Sequence, residues 1–525
     1  MGSMSGKRHA VEGWARLVWV PPLLATLIAG LYGIGHAQPW RDELATWSAA
    51  TRPLGDLLRL TGTVDAATGP YYLLMHGWVR LFGDSATALR LPSALAMAGA
   101  AGLTAVLGKR LLGARAGLLA GLLFAVLPGT SRYAQEARPY AIASLLAVLA
   151  TLLLVRALDE PNWARWAGYT AAVAGLGLAH LLALTLLAAH AVVVLVAWWR
   201  GRAAAGLDGP ERAGGHGGPE PAAHGPEPGE RAAAGTEERP PPGRGRDRRL
   251  LRWPLALLTA VAVLLPLLRT ARGQRSRQLD WLEPARLADL SALPGGVAHS
   301  SVVGGLLVGL AALGAGRLGR RALLPGTCVL LPVLLIFVAA LAVPLWVPRY
   351  LLFTVPFGCL LAGAALAAVP APAALAVLTL AGLLGLPDQE AVRRSHPPGG
   401  LIDYRGAARI IAAGTEPGDV IVYSPRDSWL FLDLGVAYHL DEGRPRDVLV
   451  VRDQRQRADL WASECPRPAG CLAGGRRVWL VVAGRRDAPL AAVPGAKGDA
   501  LRSGFTVDRV WPRPGVTVAL LSRPG

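Results

Sequence analysis

The chain alternates long apolar blocks of Leu, Ala, Val and Gly with short polar stretches rich in Arg. Because about 20 consecutive apolar residues cross the roughly 30 Å hydrocarbon core of a bilayer, blocks of this length predict transmembrane helices. We therefore predict an all-α polytopic membrane protein with about eleven transmembrane helices. The predicted spans lie at residues 17–35, 87–108, 116–131, 139–157, 164–179, 181–199, 253–268, 301–316, 322–343, 349–368 and 371–386.

The first apolar stretch follows a basic lead but ends without a small-residue cleavage site, so we predict a retained span and not a signal peptide. Lys and Arg in short loops favour the cytoplasmic side and set the orientation. With the N-terminus inside, the inside loops carry most of these residues, and the short outside loops carry chiefly Arg132 and Arg138. An odd number of spans then places residues 387–525 outside. We predict a multi-pass protein of a bacterial plasma membrane.

The sequence pattern changes after residue 386. The short β-branched runs "GDVIVYSP", "DVLVVRD" and "RVWLVVAG" are flanked by turn residues and predict strands. The preceding "DYRGAARIIAAG" predicts an amphipathic helix that ends at Gly414. We therefore predict a transmembrane domain over residues 1–386 and a small extracytoplasmic α/β domain over residues 387–525. Cys465 and Cys471, six residues apart, predict either a disulfide or two free thiols.

Two polar segments interrupt the predicted transmembrane domain. Residues 201–248 are rich in Gly, Pro, Glu and Arg and predict a disordered cytoplasmic loop, because such a composition buries too little apolar area to order itself. Residues 36–86 are too polar for a span, yet leucines alternate with charges around residues 54–60, as in a helix on the membrane surface. Tyr71, Tyr72, Trp78 and Phe82, further along this segment, are interpreted as an aromatic belt at the membrane interface.

Composition agrees with a membrane protein. Of the 525 residues, 52% are hydrophobic and only 17% are charged, against about 25% charged in a typical soluble domain. The net charge is +18. Because many arginines lie in loops that set topology, this charge needs no nucleic-acid partner, and we predict none. Neither a phosphate-binding glycine loop at a strand–helix junction nor a CxxC pair occurs, so the sequence indicates no nucleotide or zinc site.

Candidate chemistry lies in the outer polar segments. The stretch "QPWRDELATW" places Asp42 and Glu43 at the edge of the first span, where a carboxylate is costly and usually functional or paired. Asp65 follows in the same segment, and "SRYAQEARPYA" adds Glu136 and Arg138 on the same membrane side. A structural ion pair between these last two is the alternative interpretation. A carboxylate against an apolar wall suits a general base, and arginines stabilise a departing phosphate, so the set suits sugar transfer from a lipid phosphate.

Five stretches in this order resemble bacterial relatives of the protein O-mannosyltransferases: "WRDELATWSAA", "VDAATGPYYLLMHGWVRLFG", "ALRLPSALA", "RYAQEARPYA" and "VPRYLLFTVP". The resemblance covers roughly residues 15–200 and, less fully, 340–370. It implies a GT-C fold and an inverting glycosyltransferase that uses a polyprenyl-phosphate sugar, such as mannose. It further implies a glycan, lipid or protein acceptor outside the cell, in the synthesis of envelope glycans or glycoproteins.

The resemblance also implies roles for single residues. Asp42 matches the family's catalytic aspartate, the proposed general base, and we place Glu43 and Glu136 in the catalytic set with it. Arg349 and Tyr350 match an arginine–tyrosine pair suited to a lipid phosphate. The residues predicted to bind substrate are Arg41, Asp65, Tyr72, His76, Arg138, Tyr140, Arg349 and Tyr350. No residue is predicted to bind a metal.

The chain departs from the family pattern at residues 66–69. Relatives often carry a histidine between the aspartate matched by Asp65 and the tyrosine pair, whereas this chain has Ala-Ala-Thr-Gly there. The departure weakens the case for a divalent cation such as Mg²⁺ or Mn²⁺, and no cofactor is firmly predicted. In the C-terminal domain, Trp429 and Tyr438 are either sugar-stacking residues or ordinary core.

Two other functions remain open at this point. A transporter or flippase of a lipid-linked anionic sugar would also bind an anion, but transporters usually show repeated halves and interrupted spans. The chain shows no internal repeat, and its acidic residues lie in loops. A non-catalytic scaffold in envelope assembly would keep the fold without transferring sugar.

Overall fold

The computed structural model describes residues 16–207, 244–275, 283–394, 402–440 and 443–524, and most of these residues are helical. The helices of the N-terminal part, numbered in chain order, are α1 (Val20–Leu31), α2 (Arg41–Ala50), α3 (Leu54–Thr63), α4 (Gly69–Phe82), α5 (Ala86–Leu112), α6 (Ala114–Val126), α7 (Pro128–Ala134), α8 (Tyr140–Asp159), α9 (Trp163–Ala179), α10 (Leu186–Leu207), α11 (Arg244–Gly273), α12 (Leu287–Ala298), α13 (Ser301–Leu318), α14 (Leu323–Ala342), α15 (Val355–Ala367) and α16 (Ala371–Arg394). Short 3₁₀ turns connect several of them.

Each predicted span coincides with helical residues, which confirms a helical multi-pass architecture. By length and composition, seven helices in the described part of the chain can cross a membrane, or eight if α6 and α7, bent by 67° at Leu127, form one span. One of the seven is the 42-residue stretch Ser301–Ala342, which contains two of the predicted spans. The count of eleven therefore stays a prediction.

Small residues let the helices of this bundle approach closely. A Cβ atom added at Gly117 of α6 would clash with the carbonyl oxygen of Ala105 in α5. One added at Gly314 of α13 would clash with the carbonyl oxygen of Leu361 in α15. Because lipid tails are as apolar as leucine, helices in a membrane associate through such close packing and not through a hydrophobic driving force.

Two predicted boundaries differ from the observed helix ends. Helix α10 continues to Leu207 and α11 begins at Arg244, so both ends of the predicted loop 201–248 are helical, and residues 208–243 lie outside the described residues. The Ala-rich sequence "RAAAGL" favours continuing α10, because alanine has the highest helix propensity. Helix α16 likewise passes the predicted domain boundary at residue 386 and ends at Arg394.

The outer segment between α1 and α5 is folded, with helices α2, α3 and α4. In α3, Leu57 and Leu60 are buried while Leu58 is half exposed, as expected for an amphipathic helix. The interpretation of Tyr71 and Tyr72 as an interfacial belt is wrong, because both side chains are buried in the interior. The physical reason is that α4 is covered on this face by protein and not by lipid headgroups.

The C-terminal part forms a small α/β domain. Its helices are α17 (Tyr404–Gly414), α18 (Leu432–His439), α19 (Pro468–Cys471) and α20 (Gly495–Gly504). Its strands are β1 (Val420–Ser424), β2 (Arg446–Asp447), β3 (Val450–Arg452), β4 (Ser463–Glu464), β5 (Arg477–Ala483), β6 (Thr506–Arg513) and β7 (Val516–Ser522). The main sheet has the order β2-β1-β5-β7-β6, parallel at β2-β1-β5 and antiparallel beyond.

The predicted strands and the predicted helix of this domain are confirmed. The helix ends at Gly414 as expected, and Asp403 caps its start by accepting a hydrogen bond from the Gly406 N–H (2.7 Å). The three predicted runs coincide with β1, β3 and β5, whereas β2, β4, β6 and β7 are not among the predicted strands. Of the two interpretations of the cysteines outside the apolar blocks, the structure has the disulfide, Cys465–Cys471.

The outer segment and the C-terminal domain share one hydrophobic core. Leu44 of α2 and Tyr72 of α4 belong to the same buried cluster as Tyr404 and Phe431 of the domain. The Gln38 side chain joins the two parts by hydrogen bonds to the backbone of the domain. Its Nε2 donates to the Ile402 carbonyl (2.7 Å), and its Oε1 accepts from the Arg405 N–H (2.9 Å). The domain therefore covers the outer helices directly.

A buried ion pair fixes α2 against the bundle. The Glu43 carboxylate accepts hydrogen bonds from Arg90 Nε (2.8 Å) and Nη2 (2.7 Å), and both side chains are 1% exposed. Glu43 Oε1 also accepts from the Ala137 N–H (3.0 Å), while Arg90 Nη1 donates to the carbonyls of Ile34 (2.8 Å) and Ala37 (2.9 Å). A two-pronged pair of this kind holds four chain segments in one geometry.

Replacing Arg90 with methionine tests this contribution. Arg90→Met leaves the Glu43 carboxylate buried without its cation, so we expect the free energy of unfolding to fall by about 3–5 kcal/mol. The apparent melting temperature of the detergent-solubilised protein should then fall by several degrees. The matched control is Arg59→Met, since Arg59 pairs with Asp56 on the exposed surface of α3, where such pairs contribute little. Equal melting temperatures for the two variants would contradict the assigned role.

Candidate active site

A cavity of about 300 Å³ lies where the outer segment, the helical bundle and the C-terminal domain meet. The start of α2, the turn after α3, the segment before α8 and the segment before α15 each contribute to its wall. The lining residues are Arg41, Asp42, Asp65, Ala67, Thr68, Arg138, Pro139, Tyr140, Ala179, His180, Leu181, Leu182, Ala271, Arg275, Leu345, Arg349, Tyr350 and Trp429. Residues from four predicted motifs thus converge in one place.

Asp42 lies in the first turn of α2, where the helix dipole favours a negative charge. Its carboxylate pairs with Arg349 Nη2 at 3.5 Å and with Arg41 Nε at 3.7 Å, and its side chain is 15% exposed. Both distances exceed the 2.7–2.9 Å typical of direct charge-assisted hydrogen bonds. The carboxylate is therefore held near two guanidinium groups and remains accessible from the cavity.

Asp65 is held more tightly. It adopts a left-handed backbone conformation (φ 56°), and its Oδ1 accepts a hydrogen bond from Thr68 Oγ1 at 2.7 Å while its Oδ2 accepts one from the Tyr72 hydroxyl. Burial raises the pKa of the Asp65 carboxyl above its ordinary value, although the Arg138 guanidinium acts in the opposite direction. With both oxygens engaged, Asp65 is better placed to position neighbours than to take a proton.

Two arginines, Arg138 and Arg349, line the cavity with these carboxylates. Arg349 Nε donates to the Tyr140 hydroxyl (3.2 Å), and its guanidinium lies 5.7 Å from the ring centroids of both Trp40 and Tyr350. Arg138 Nη1 donates to the Tyr72 hydroxyl (3.4 Å). The lining holds four arginines and two aspartates, so the cavity carries an excess of positive charge and suits an anion such as a phosphate.

Four predicted site residues lie behind the cavity wall and do not line it. Tyr72 is fully buried and reaches the cavity only through Asp65 and Arg138. His76 is buried with its Nδ1 3.0 Å from the Ala50 carbonyl oxygen, a packing contact between α4 and α2. Glu43 is occupied by the ion pair and the backbone contact described above.

Glu136 is the fourth. Its carboxylate pairs with Arg132 Nη2 at 3.1 Å, so the predicted alternative, a pair with Arg138, is wrong. Arg132 lies four residues before Glu136, in the last turn of α7. Residues four apart lie on the same side of a helix, so the end of α7 brings the Arg132 side chain next to Glu136. Burial raises the pKa of Glu136, while Arg132 and Arg349 lower it. Asp42 also acts on Glu136 electrostatically, so the acids of the two outer motifs lie near each other.

The cavity also contains residues that the sequence did not single out as site residues. His180 lies between two predicted spans, and its polarity at that position was the available signal. Arg275 follows α11, and the neighbouring Gln274 accepts a hydrogen bond from the Ala66 N–H (2.8 Å), which ties α11 to the outer segment. Trp429, predicted to stack on sugar or to be core, lines the cavity from the C-terminal domain.

The described residues do not fit a bound divalent cation well. In the part of the chain that the structure describes, no three His, Cys, Asp or Glu side chains lie close enough together to hold a metal ion. The two lining carboxylates face arginines or accept hydrogen bonds from their own segment.

Comparisons with known proteins concern the family and the fold. Residues 70–205 match the family described as dolichyl-phosphate-mannose-protein mannosyltransferase. The crystal structure of ArnT from Cupriavidus metallidurans in the apo state is similar over 97% of this chain and 98% of that chain, with a TM-score of 0.62 and 14% identity. The same protein bound to undecaprenyl phosphate gives a TM-score of 0.59 and 15% identity over the same shares.

A search of curated protein sequences found no match. The family match and the structural matches confirm the resemblance stated from the sequence. The chain therefore has the fold of the GT-C glycosyltransferases, and its residues 70–205 match the dolichyl-phosphate-mannose-protein mannosyltransferase family.

Proposed function

We propose that the protein is a membrane glycosyltransferase that moves a sugar, such as mannose, from a polyprenyl-phosphate donor to an acceptor on the extracytoplasmic side. The observation that carries the proposal is the convergence of Asp42 with Arg138 and Arg349 in one cavity between bundle and outer domain. The likeness to ArnT bound to undecaprenyl phosphate supports a lipid phosphate as the group that these arginines recognise.

The chemistry follows from the positions of these groups. Asp42 removes the proton from an acceptor hydroxyl, and the resulting oxygen nucleophile attacks the anomeric carbon of the donor sugar. The bond from that carbon to the phosphate oxygen breaks, and its electron pair leaves with the phosphate. Arg138 and Arg349 stabilise the negative charge that develops on the leaving group. A single displacement of this kind inverts the anomeric centre.

Arg349 links the two halves of the reaction. It pairs with the Asp42 carboxylate and, through Nε, with the Tyr140 hydroxyl. A planar guanidinium presents several donors in a fixed fork, so one arginine serves a carboxylate and a phosphate together. In this proposal Arg349 orients the base toward the acceptor while it binds the leaving group.

Glu43 and Glu136 act through other residues. Glu43 holds the first turn of α2 through Arg90, and Glu136 holds Arg132, whose guanidinium lies 5.4 Å from the Trp40 ring centroid. Because neither carboxylate lines the cavity, we assign both to positioning and Asp42 to proton transfer.

The Asp42→Asn variant tests the proposed base. It keeps the size of the side chain and cannot accept the proton, so we expect the rate of transfer from a polyprenyl-phosphate sugar to fall about 10²–10⁴-fold. Binding of undecaprenyl phosphate should change little. The matched control is Asp56→Asn in the same outer segment, whose side chain pairs with Arg59 outside the cavity. Full transfer activity in Asp42→Asn would rule out this assignment.

The two arginines are tested by lipid binding. Arg138→Gln and Arg349→Gln each remove a charged donor from the proposed phosphate site, which should weaken undecaprenyl phosphate binding about tenfold or more. Native mass spectrometry of the purified protein measures this, with the exposed Arg59→Gln as control. Unchanged lipid affinity in both variants would mean that the phosphate binds elsewhere.

Orientation is tested by reporter fusions. We propose that the C-terminal domain lies outside the cytoplasm, so alkaline phosphatase fused after residue 525 should be active and a green fluorescent protein fused there should be dark. A fusion at the N-terminus should show the opposite pattern. A bright C-terminal fluorescent fusion would place the cavity on the cytoplasmic side and contradict the proposal.

A further inference from the structure

A second cavity, of about 620 Å³, lies between the end of α2 and the C-terminal domain. It shares no lining residue with the active-site cavity. Trp47 and Ser48 of α2 form one wall, and α18 with the segment from β2 to the turn after β3 forms the other. Its lining includes five arginines, namely Arg52, Arg426, Arg444, Arg446 and Arg455.

One of these arginines is neutralised within the domain. Arg426 pairs with Asp433 at 3.1 Å and also with Asp447, the two lining aspartates nearest to it. The third lining aspartate, Asp453, caps a turn by accepting a hydrogen bond from the Gln456 N–H (2.7 Å). With five arginines against three aspartates, the lining keeps an excess of positive charge.

The other four arginines have no ion pair among the described residues. Arg444, Arg446 and Arg455 are exposed at the rim. Arg52 is only 2% exposed, and its guanidinium donates to neutral groups, such as the Ser48 hydroxyl (3.2 Å) and the Asp459 carbonyl (2.7 Å).

Arg52 is buried beside a second cation, Arg455. Burial and then the like charge of Arg455 lower the pKa of Arg52 to about 10. The carboxylates that act on it in the opposite direction, Asp56 and Asp459, are paired with Arg59 and Arg457. A bound anion would relieve this repulsion, because a guanidinium desolvated beside another cation is costly without a counter-charge.

Aromatic surface lies beside these cations. Trp47 is half-buried in the wall; its Nε1 donates a hydrogen bond to the Asp84 carboxylate (2.9 Å), and its ring makes an edge-to-face contact with the Tyr438 ring. A cavity lined by both guanidinium groups and an indole ring suits a sugar that carries a charged group, since the ring can pack on the sugar while the arginines bind the charge. Trp47 and Asp42 belong to the same ten-residue helix.

We propose that this second cavity is a binding site for an anionic saccharide portion of the acceptor, carrying phosphate or carboxylate groups. The proposal rests on the function proposed above and adds to it the chemical class of the acceptor. The site would hold a remote part of the acceptor while its hydroxyl reaches Asp42, so that binding energy is used away from the reacting atoms. The ten-residue helix α2 gives the two cavities a fixed separation.

Calorimetry with two probe anions tests the site directly. Purified full-length protein in detergent is titrated at low salt with inorganic pyrophosphate and, separately, with a galacturonate oligosaccharide. We expect two classes of pyrophosphate site in the wild-type protein, one in each cavity. In Arg444→Gln/Arg455→Gln, affinity at the second cavity should fall about tenfold or more, and the class assigned to Arg138 and Arg349 should remain.

Charge-matched controls distinguish anion binding at a specific site from nonspecific electrostatic attraction of the anion to the basic domain. Arg467→Gln/Arg485→Gln removes two exposed arginines of the same domain that line neither cavity, and it should leave both classes of site intact. Arg444→Lys/Arg455→Lys should keep most of the binding. The proposal is overturned if Arg444→Gln/Arg455→Gln leaves the anion affinity of the second cavity unchanged, or if Arg467→Gln/Arg485→Gln lowers that affinity equally. The probe that binds more tightly identifies the charged group.

Transfer kinetics provide the second arm. With an anionic acceptor, Arg444→Gln/Arg455→Gln should raise the KM for acceptor about tenfold and leave kcat and the KM for the lipid donor unchanged. If the wild-type protein transfers no sugar, the proposed function fails, yet the calorimetry still decides whether the second cavity binds anions. An unchanged acceptor KM in an active enzyme would overturn the assignment to the acceptor.

Discussion

The buried pair between Glu43 and Arg90 is the interaction on which the proposed site depends. A buried charge is stable only when it is fully paired. Glu43 and Arg90 meet this condition, because two short hydrogen bonds join them and each side chain is only 1% exposed. Successive residues of an α-helix point about 100° apart. When Glu43 is fixed toward the bundle, Asp42 is turned toward the cavity. Two adjacent carboxylates thus have different surroundings and different proposed roles.

The charge balance of the cavity extends this division of roles. Carboxylates that accept close hydrogen bonds, such as Glu43 and Asp65, serve as anchors, whereas Asp42 has only longer ion pairs. The lining has more arginines than aspartates, so a bound phosphate would neutralise the excess positive charge of the cavity. Apolar helices flank the cavity on one side and the C-terminal domain covers another. That position suits a substrate whose tail lies in lipid and whose headgroup lies outside the bilayer.

Much of the fold could be predicted because it depends on local sequence. Apolar blocks long enough to span a bilayer became helices, and the β-branched runs before residue 484 became strands. Strand β6 was missed because its sequence, "TVDRVWPR", mixes charges and proline with apolar residues, and most of its residues are exposed or half-buried. The convergence of Asp42, Arg138 and Arg349 could be expected from three motifs on one membrane side.

What depends on tertiary packing could not be predicted from the sequence. Tyrosine is common at membrane interfaces, whereas Tyr72 is buried in a core that the outer helices share with the C-terminal domain. Glu136 has arginines two residues after it and four residues before it, and the end of α7 decides between them. Trp429 reaches the cavity from a domain about 290 residues beyond Arg138 in the chain. Long-range contacts of this kind leave no periodic signal in the sequence.

An experimental structure of the protein in a lipid nanodisc with a bound polyprenyl-phosphate sugar would show where the donor lies. We expect the phosphate within hydrogen-bonding distance of both Arg138 and Arg349, with the anomeric carbon of the sugar facing Asp42. A donor bound with its phosphate outside this cavity, or with its sugar directed away from Asp42, would rule out Asp42 as the base and the two arginines as the phosphate site.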